Sequence, residues 1–262
     1  MRPLGIDRPP GRRTCPRALL AVLTGLVLLT VAGCSSEELP KMGMPARGVT
    51  DKAEPVLTLW QGAWIFALLT GAVVWGLILW SCAFHRRRAG DDSLPPQVRY
   101  NVPIEVLYTA IPFIICAVYF FFTARDEADI RDLTPEDQVE NTIEVIGFQW
   151  SWQFNYLDEG ASFTGTTGDR PTLYLPQGET VQFRLTSNDV IHSFWVPAFL
   201  YKMDVFPQRV NRFEVTPQRE GTYVGKCAEL CGTEHARMLF NVEIVSPEEY
   251  QRITAEIRDG NQ

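Results

Sequence analysis

Long uncharged stretches fill the front of the chain, and apolar residues at every second position mark much of the rest. Residues 18–32, 60–84 and 106–124 contain no Asp, Glu, Lys or Arg, and they are 15, 25 and 19 residues long. A helix needs about 20 apolar residues to cross the hydrocarbon core of a bilayer. The second and third stretches are therefore predicted to span a membrane, and the first is too short. That first stretch follows Arg2, Arg8, Arg12, Arg13 and Arg17. A basic segment before a short apolar core reads as a signal peptide, residues 1–33. The segment closes on Val31-Ala32-Gly33-Cys34, with Ser35 and Ser36 behind.

Between the two longer stretches stands His85-Arg86-Arg87-Arg88, which the positive-inside rule places in the cytoplasm. Residues 56–124 are then a transmembrane hairpin with both ends outside. The signal peptide independently puts residues 34–55 on that same external side. Pro112 falls inside the second span, where a neighbouring helix can compensate for it. Glu105, just before that span, reads either as an interfacial carboxylate or as an ionisable group at the mouth of a proton path.

After an acidic linker or short helix at 125–140, the pattern turns to β. Phe148, Trp150, Trp152, Phe154 and Tyr156 alternate with Gly147, Gln149, Ser151, Gln153 and Asn155. Strict period two predicts one strand with five aromatics on a shared face. Further strands are predicted at 171–175, 179–187, 190–196, 210–216, 220–225 and 237–245, separated by Gly and Pro turns. Short strands so punctuated indicate a β-sandwich or barrel over 141–246. Ser246-Pro247-Glu248-Glu249 then supplies an N-cap, a proline at the first helical position and a capping-box glutamate. This predicts a closing helix and tail at 247–262.

Charge sharpens the division. Residues 1–123 carry twelve basic and eight acidic side chains, a net +4, whereas residues 124–262 carry twelve and twenty-three, a net −11. The acidic half argues against a nucleic-acid partner and favours a basic protein or a cation.

Candidate chemistry is concentrated there. Residues 124–262 hold two cysteines, Cys227 and Cys231, and two histidines, His192 and His235. The run from Cys227 to Met238 spaces its donors as C-x3-C-x3-H-x2-M, between two predicted strands. Such a loop can fold several ligands around one point, with His192 supplied from a separate strand. Two Cys and two His also suit zinc. Met238 favours copper, for which a thioether is a common weak ligand, and two thiolates can bridge two coppers. Taken singly, the cysteines read as a disulfide, the methionine as core and His192 as structural. Their joint occurrence points to metal.

With these motifs the chain resembles subunit II of the haem–copper cytochrome c oxidases, in a bacterial lipoprotein form. The likeness covers the hairpin, the aromatic strand, the His192 strand and the copper loop. It implies a membrane-anchored all-β protein, a two-helix hairpin followed by a cupredoxin-like Greek-key β-sandwich. It also implies a dinuclear copper A centre. Cys227 and Cys231 would bridge the metals, His192 and His235 would each cap one, and Met238 and the Glu229 carbonyl would be weak ligands. The Glu229 carboxylate would reach a magnesium or manganese ion shared with the catalytic subunit.

The resemblance also assigns Trp150 to electron uptake from a c-type cytochrome, against a plain reading as core. It places Glu105 at a proton-channel mouth, and Asp189 and Asp204 near donor and subunit surfaces. Cys34 matches a lipoprotein cleavage box and would be lipidated; an ordinary signal peptide with an incidental cysteine is the simpler alternative. The protein would lie in the bacterial inner membrane as a multi-pass subunit, its C-terminal domain on the periplasmic face. It would join catalytic subunit I and other oxidase subunits. The sequence contains no C-x-x-C-H, so haem is expected only in partner subunits. A copper-delivering lipoprotein, a disulfide-stapled domain and a nitrous or nitric oxide reductase are the rival readings.

Overall fold

The structure is a computed structural model that describes residues 25, 41–44, 48–87, 90, 93–94, 96–135 and 138–260. The expected signal peptide, Gly25 apart, and the expected lipidation site Cys34 lie outside the described residues.

Two long helices come first: α1, Ala53–Phe84, and α2, Val102–Arg131. At 1.5 Å per residue they are about 48 and 45 Å long, more than the roughly 30 Å that crossing a bilayer's hydrocarbon core requires. The excess lies at the end nearer the β domain. There α1 buries Ala53 and Leu57, and α2 runs on through the acidic segment to Arg131. Asn101 starts α2 by accepting a hydrogen bond from the Ile104 N–H at 3.4 Å. Glu105 Oε1 accepts from the Asn101 N–H at 2.8 Å, so its carboxylate helps to cap the helix. The Tyr119 hydroxyl donates to the Leu59 carbonyl at 3.3 Å and ties the two helices together.

The hairpin is fastened to the β domain through the residues before α1. The Asp51 N–H donates to the Thr216 carbonyl at 3.1 Å, and the Thr216 N–H donates back to Asp51 Oδ1 at 2.7 Å. Lys52 Nζ donates to the Asp129 carbonyl at 2.9 Å, and Val49 and Thr50 are buried.

Ten strands follow: β1 Asn141–Phe148, β2 Ser151–Tyr156, β3 Ala161–Thr164, β4 Thr172–Pro176, β5 Val181–Ser187, β6 His192–Val196, β7 Tyr201–Val205, β8 Asn211–Val215, β9 Gly221–Cys227 and β10 Leu239–Val245. They form two five-stranded sheets, in the orders β3-β2-β1-β5-β8 and β4-β10-β9-β6-β7. The pairs β1–β5 and β4–β10 are parallel and the others are antiparallel. This is the β-sandwich expected after a helical hairpin. Its core includes Ile143, Val145, Trp152, Phe154, Phe183, Phe194, Phe240 and Val242. Helix α3, Pro247–Arg258, is capped by Ser246, which accepts from the Glu249 N–H at 3.3 Å. It buries Tyr250, Ile253, Thr254 and Ile257, a stripe at helical spacing.

The aromatic run differs from its prediction. It is not one strand with a five-aromatic face. The chain reverses at Gln149-Trp150, and Phe148 pairs with Ser151 across a two-residue turn. Trp152, Phe154 and Tyr156 are fully buried on one face. Gly147 pairs with Trp152 and shares its inward face, so Phe148 faces the other way. Alternation alone misses the break, because this hairpin keeps the period of two running through its turn. The short strands β3 and β7 were also unpredicted. Both are sheet edges, where half-exposed residues blur the alternation.

Candidate metal centre

The donors predicted from sequence converge at one end of the sandwich. His192 opens β6 and is fully buried. Cys227 closes β9, and the loop from 228 to 238 returns to β10. Backbone bonds hold the base of this loop. The Cys227 N–H donates to the Met238 carbonyl at 3.0 Å, and the Ala228 N–H donates to the Ser193 carbonyl at 3.0 Å. The loop therefore folds back onto the His192 strand.

Cys227 Sγ lies 3.8 Å from His192 Nδ1 and 3.8 Å from Cys231 Sγ. Cys231 Sγ lies 3.6 Å from His235 Nδ1 and 3.7 Å from Met238 Sδ. The Cys227 thiol donates to the Glu229 carbonyl at 3.2 Å, which brings that oxygen to the site while the residue itself is exposed. The ligand atoms of His192, Cys227 and Cys231 all lie within 4.8 Å of one another. Both thiols are free and buried, and 3.8 Å is far beyond the roughly 2.05 Å of a disulfide. Two thiols between two imidazoles, with a thioether alongside, form a soft donor set that fits copper.

The protonation pattern follows from the geometry. Burial disfavours the Cys227 thiolate, but its hydrogen bond with His192 and bonds from the adjacent backbone outweigh that and bring it down to about 7. Cys231 is pushed up to about 12, first by burial and then by the charge on Cys227 beside it. A metal-free pair thus favours a single negative charge, and a bound cation would displace the second proton.

Asp189 sits behind His192. Its Oδ1 lies 2.8 Å from His192 Nε2 and also accepts from the Val190 N–H at 2.6 Å. Burial works against the ionised form of Asp189. The bonds from His192 and from the Gln149 and Val190 amides outweigh it and hold the carboxyl below its ordinary range. A carboxylate only accepts, so the imidazole proton belongs on Nε2. In the neutral ring the Nδ1 lone pair then faces Cys227, whereas in the imidazolium an Nδ1–H faces it and stabilises the thiolate. Burial alone would lower the His192 pKa, but Cys227 and Asp189 together leave it raised.

Trp150 comes from the β1–β2 turn. It is partly buried, and its indole N–H donates to the Cys231 carbonyl at 3.2 Å. Beside it, the Gln149 side-chain amide donates to the same oxygen at 2.8 Å. Sequence reasoning missed Gln149. The only signal was its position beside Trp150, and nothing in the spacing ties residue 149 to residue 231. Glu105 lies on α2, at the far end of the hairpin from these groups.

A profile of the family described as "Cytochrome C oxidase subunit II, periplasmic domain" matches residues 166–245. The chain is 50% identical to a Streptomyces avermitilis protein named probable cytochrome c oxidase subunit 2, with 96% of this chain and 90% of that one covered. It is 33% identical to the cytochrome c oxidase subunit 2 of Mycobacterium bovis, with 92% and 82% covered. Among solved structures it is similar to the periplasmic domain of subunit II of cytochrome oxidase from Bradyrhizobium japonicum. That likeness is at 28% identity and a TM-score of 0.45, over 49% of this chain and 99% of that one. The two sequence relatives span the hairpin as well as the sandwich, and at these identities the conclusion follows that this chain belongs to the cytochrome c oxidase subunit II family.

Proposed function

We propose that this chain is the electron-accepting subunit of a proton-pumping cytochrome c oxidase. It takes electrons one at a time from a c-type cytochrome and hands them to haem in a catalytic subunit I, where oxygen is reduced to water. The observation that carries this reading is the convergence of the Cys227 and Cys231 sulfurs, the His192 and His235 Nδ1 atoms and the Met238 sulfur at one end of the sandwich. A dinuclear copper A centre, when bound there, supplies a one-electron store shared by two metals.

The chain's own residues prepare the place for it. Cys227, Cys231, His192 and His235 would hold it. Met238 and the Glu229 carbonyl would be weak outer ligands. The exposed Glu229 carboxylate is free to turn toward a magnesium or manganese ion shared with the catalytic subunit. Trp150 offers a route for electrons through its hydrogen bond to the Cys231 carbonyl. Burial of the sulfurs keeps water and stray oxidants from the thiols. The acidic external half steers a donor with a basic face.

In this reading the hairpin anchors the subunit in a bacterial inner membrane with the sandwich on the periplasmic side. Glu105 serves a proton channel from the cytoplasmic end, and Cys34 carries a lipid. Residues 1–33 are removed, 34–55 are external, 56–124 are the hairpin, 125–140 the linker, 141–246 the copper domain and 247–262 the closing helix and tail.

The test is purification from native membranes in mild detergent. Two coppers per chain, an electron paramagnetic resonance signal delocalised over both, haem in the partner subunits and oxygen uptake with reduced cytochrome c are expected. A chain with no copper, or with a single isolated copper, would overturn the reading.

A further inference from the structure

Gln149 donates to neither metal-ligand side chain, yet it touches both arms of the site. Its backbone N–H donates to Asp189 Oδ2 at 2.7 Å, and the other oxygen of that carboxylate holds His192. Its side-chain amide donates to the Cys231 carbonyl at 2.8 Å, the oxygen that Trp150 also reaches. Gln149 is the first residue of the two-residue β1–β2 turn, and a turn this short leaves its backbone little freedom. The residue is exposed, and it gives the core almost nothing. An exposed glutamine amide ordinarily turns to water. Here it points inward at the backbone of a thiol ligand, 82 residues away in sequence.

We propose that Gln149 is a positioning residue for the metal centre. It fixes the distance between the Asp189–His192 arm and the Cys231 loop, and it keeps Trp150 in register with both. The proposal rests on the copper reading given above. Two N–H dipoles converge on the carbonyl of the ligand residue Cys231, with their positive ends at that oxygen, and offset its negative charge. They favour the state that carries less positive charge, which is the reduced one. Removing the Gln149 amide therefore lowers the midpoint potential, and placing a carboxylate there lowers it further. Loosening the loop also makes the surroundings of Cys227 and Cys231 less alike.

The experiment uses the intact oxidase, purified from membranes carrying Gln149→Ala or Gln149→Glu. Copper per chain, the hyperfine pattern in paramagnetic resonance and the midpoint potential are measured against the unaltered enzyme. Both variants are expected to keep two coppers and the folded domain. Their potentials fall, more in Gln149→Glu than in Gln149→Ala, and their hyperfine patterns change. An unchanged potential and hyperfine pattern in both variants overturns the proposal. So does loss of copper or of the folded domain in both, because Gln149 would then belong to the frame and not adjust the site. Failure of the copper reading is visible separately, since the unaltered enzyme itself would then lack the twin-copper signal.

Discussion

Gly147 on β1 and His192 on β6 face each other across the sandwich, so closely that a β-carbon at Gly147 would stand 3.1 Å from the imidazole Cδ2 and 3.2 Å from Cγ. The ring has nowhere to retreat. Asp189 holds it by Nε2, and the Trp152 ring lies against it at a centroid distance of 6.1 Å. Gly147→Ala is therefore expected to push the ring off its line to Cys227. Overpacking of this kind costs about 1–3 kcal/mol. Thermal unfolding of the purified chain should show the loss, and copper per chain should fall with it. Unchanged unfolding and copper content would mean that β1 can shift to make room.

Asp189→Asn tests the bond behind His192. Asparagine is nearly the same size but uncharged, so it does not enforce the Nε2 proton. Partners of this kind typically contribute about 10- to 100-fold in metal affinity. Copper should leave more readily under a chelator, and the midpoint potential should rise as a negative charge is lost near the metal. Equal chelator resistance and an equal potential would return Asp189 to a surface role.

Trp150→Phe keeps an aromatic ring at the turn and removes the N–H bonded to Cys231. Loss of that bond should cost about 1 kcal/mol of stability. Fold and copper should survive while electron uptake from reduced cytochrome c slows, as stopped-flow mixing would show. If uptake proceeds at the original rate, Trp150 is packing and nothing more.

Glu159→Gln addresses the far end of the domain. Burial, with the charges of Asp158 and Glu179 adding to it, raises the Glu159 pKa above the ordinary carboxylate value. A carboxyl with a raised folded pKa binds its proton more tightly when folded. The ionised form then opposes folding, with the penalty absent below the unfolded pKa and complete above the raised folded one. Glu159→Gln should therefore raise the melting temperature at pH 7 and leave it nearly unchanged near pH 4. A gain of equal size at both pH values would assign the effect to packing.

Much of this was legible from residue order. The two spans follow from uninterrupted apolar composition, since any helix that long and uncharged suits a bilayer. The loop donors were legible because C-x3-C-x3-H-x2-M keeps them within one short connection, which closes on itself when Cys227 and Met238 bond through their backbones. The cap at Ser246 was legible for the same reason, its partner being three residues away.

What residue order left open depends on sheet register. Alternation continued through Gln149-Trp150 and hid the turn that lifts Phe148 to the other face. Asp189 reads from sequence as an acidic residue near the donor and subunit surfaces; the structure leaves it exposed and adds a bond to His192, three residues away, that residue order did not reveal. Gln149 carried no signal beyond its place beside Trp150, because its partners Asp189 and Cys231 are 40 and 82 residues away. Sequence by itself determined two helices long and apolar enough to span a membrane, the β class and the candidate donors: the four in the loop lie within about ten residues of one another, and His192, 35 residues from Cys227, stood out because histidine is scarce. Only the tertiary structure decided which side chains orient those donors, because burial of the whole core sets the strand register, and register brings residue 147 against His192 and residue 149 against both Asp189 and Cys231.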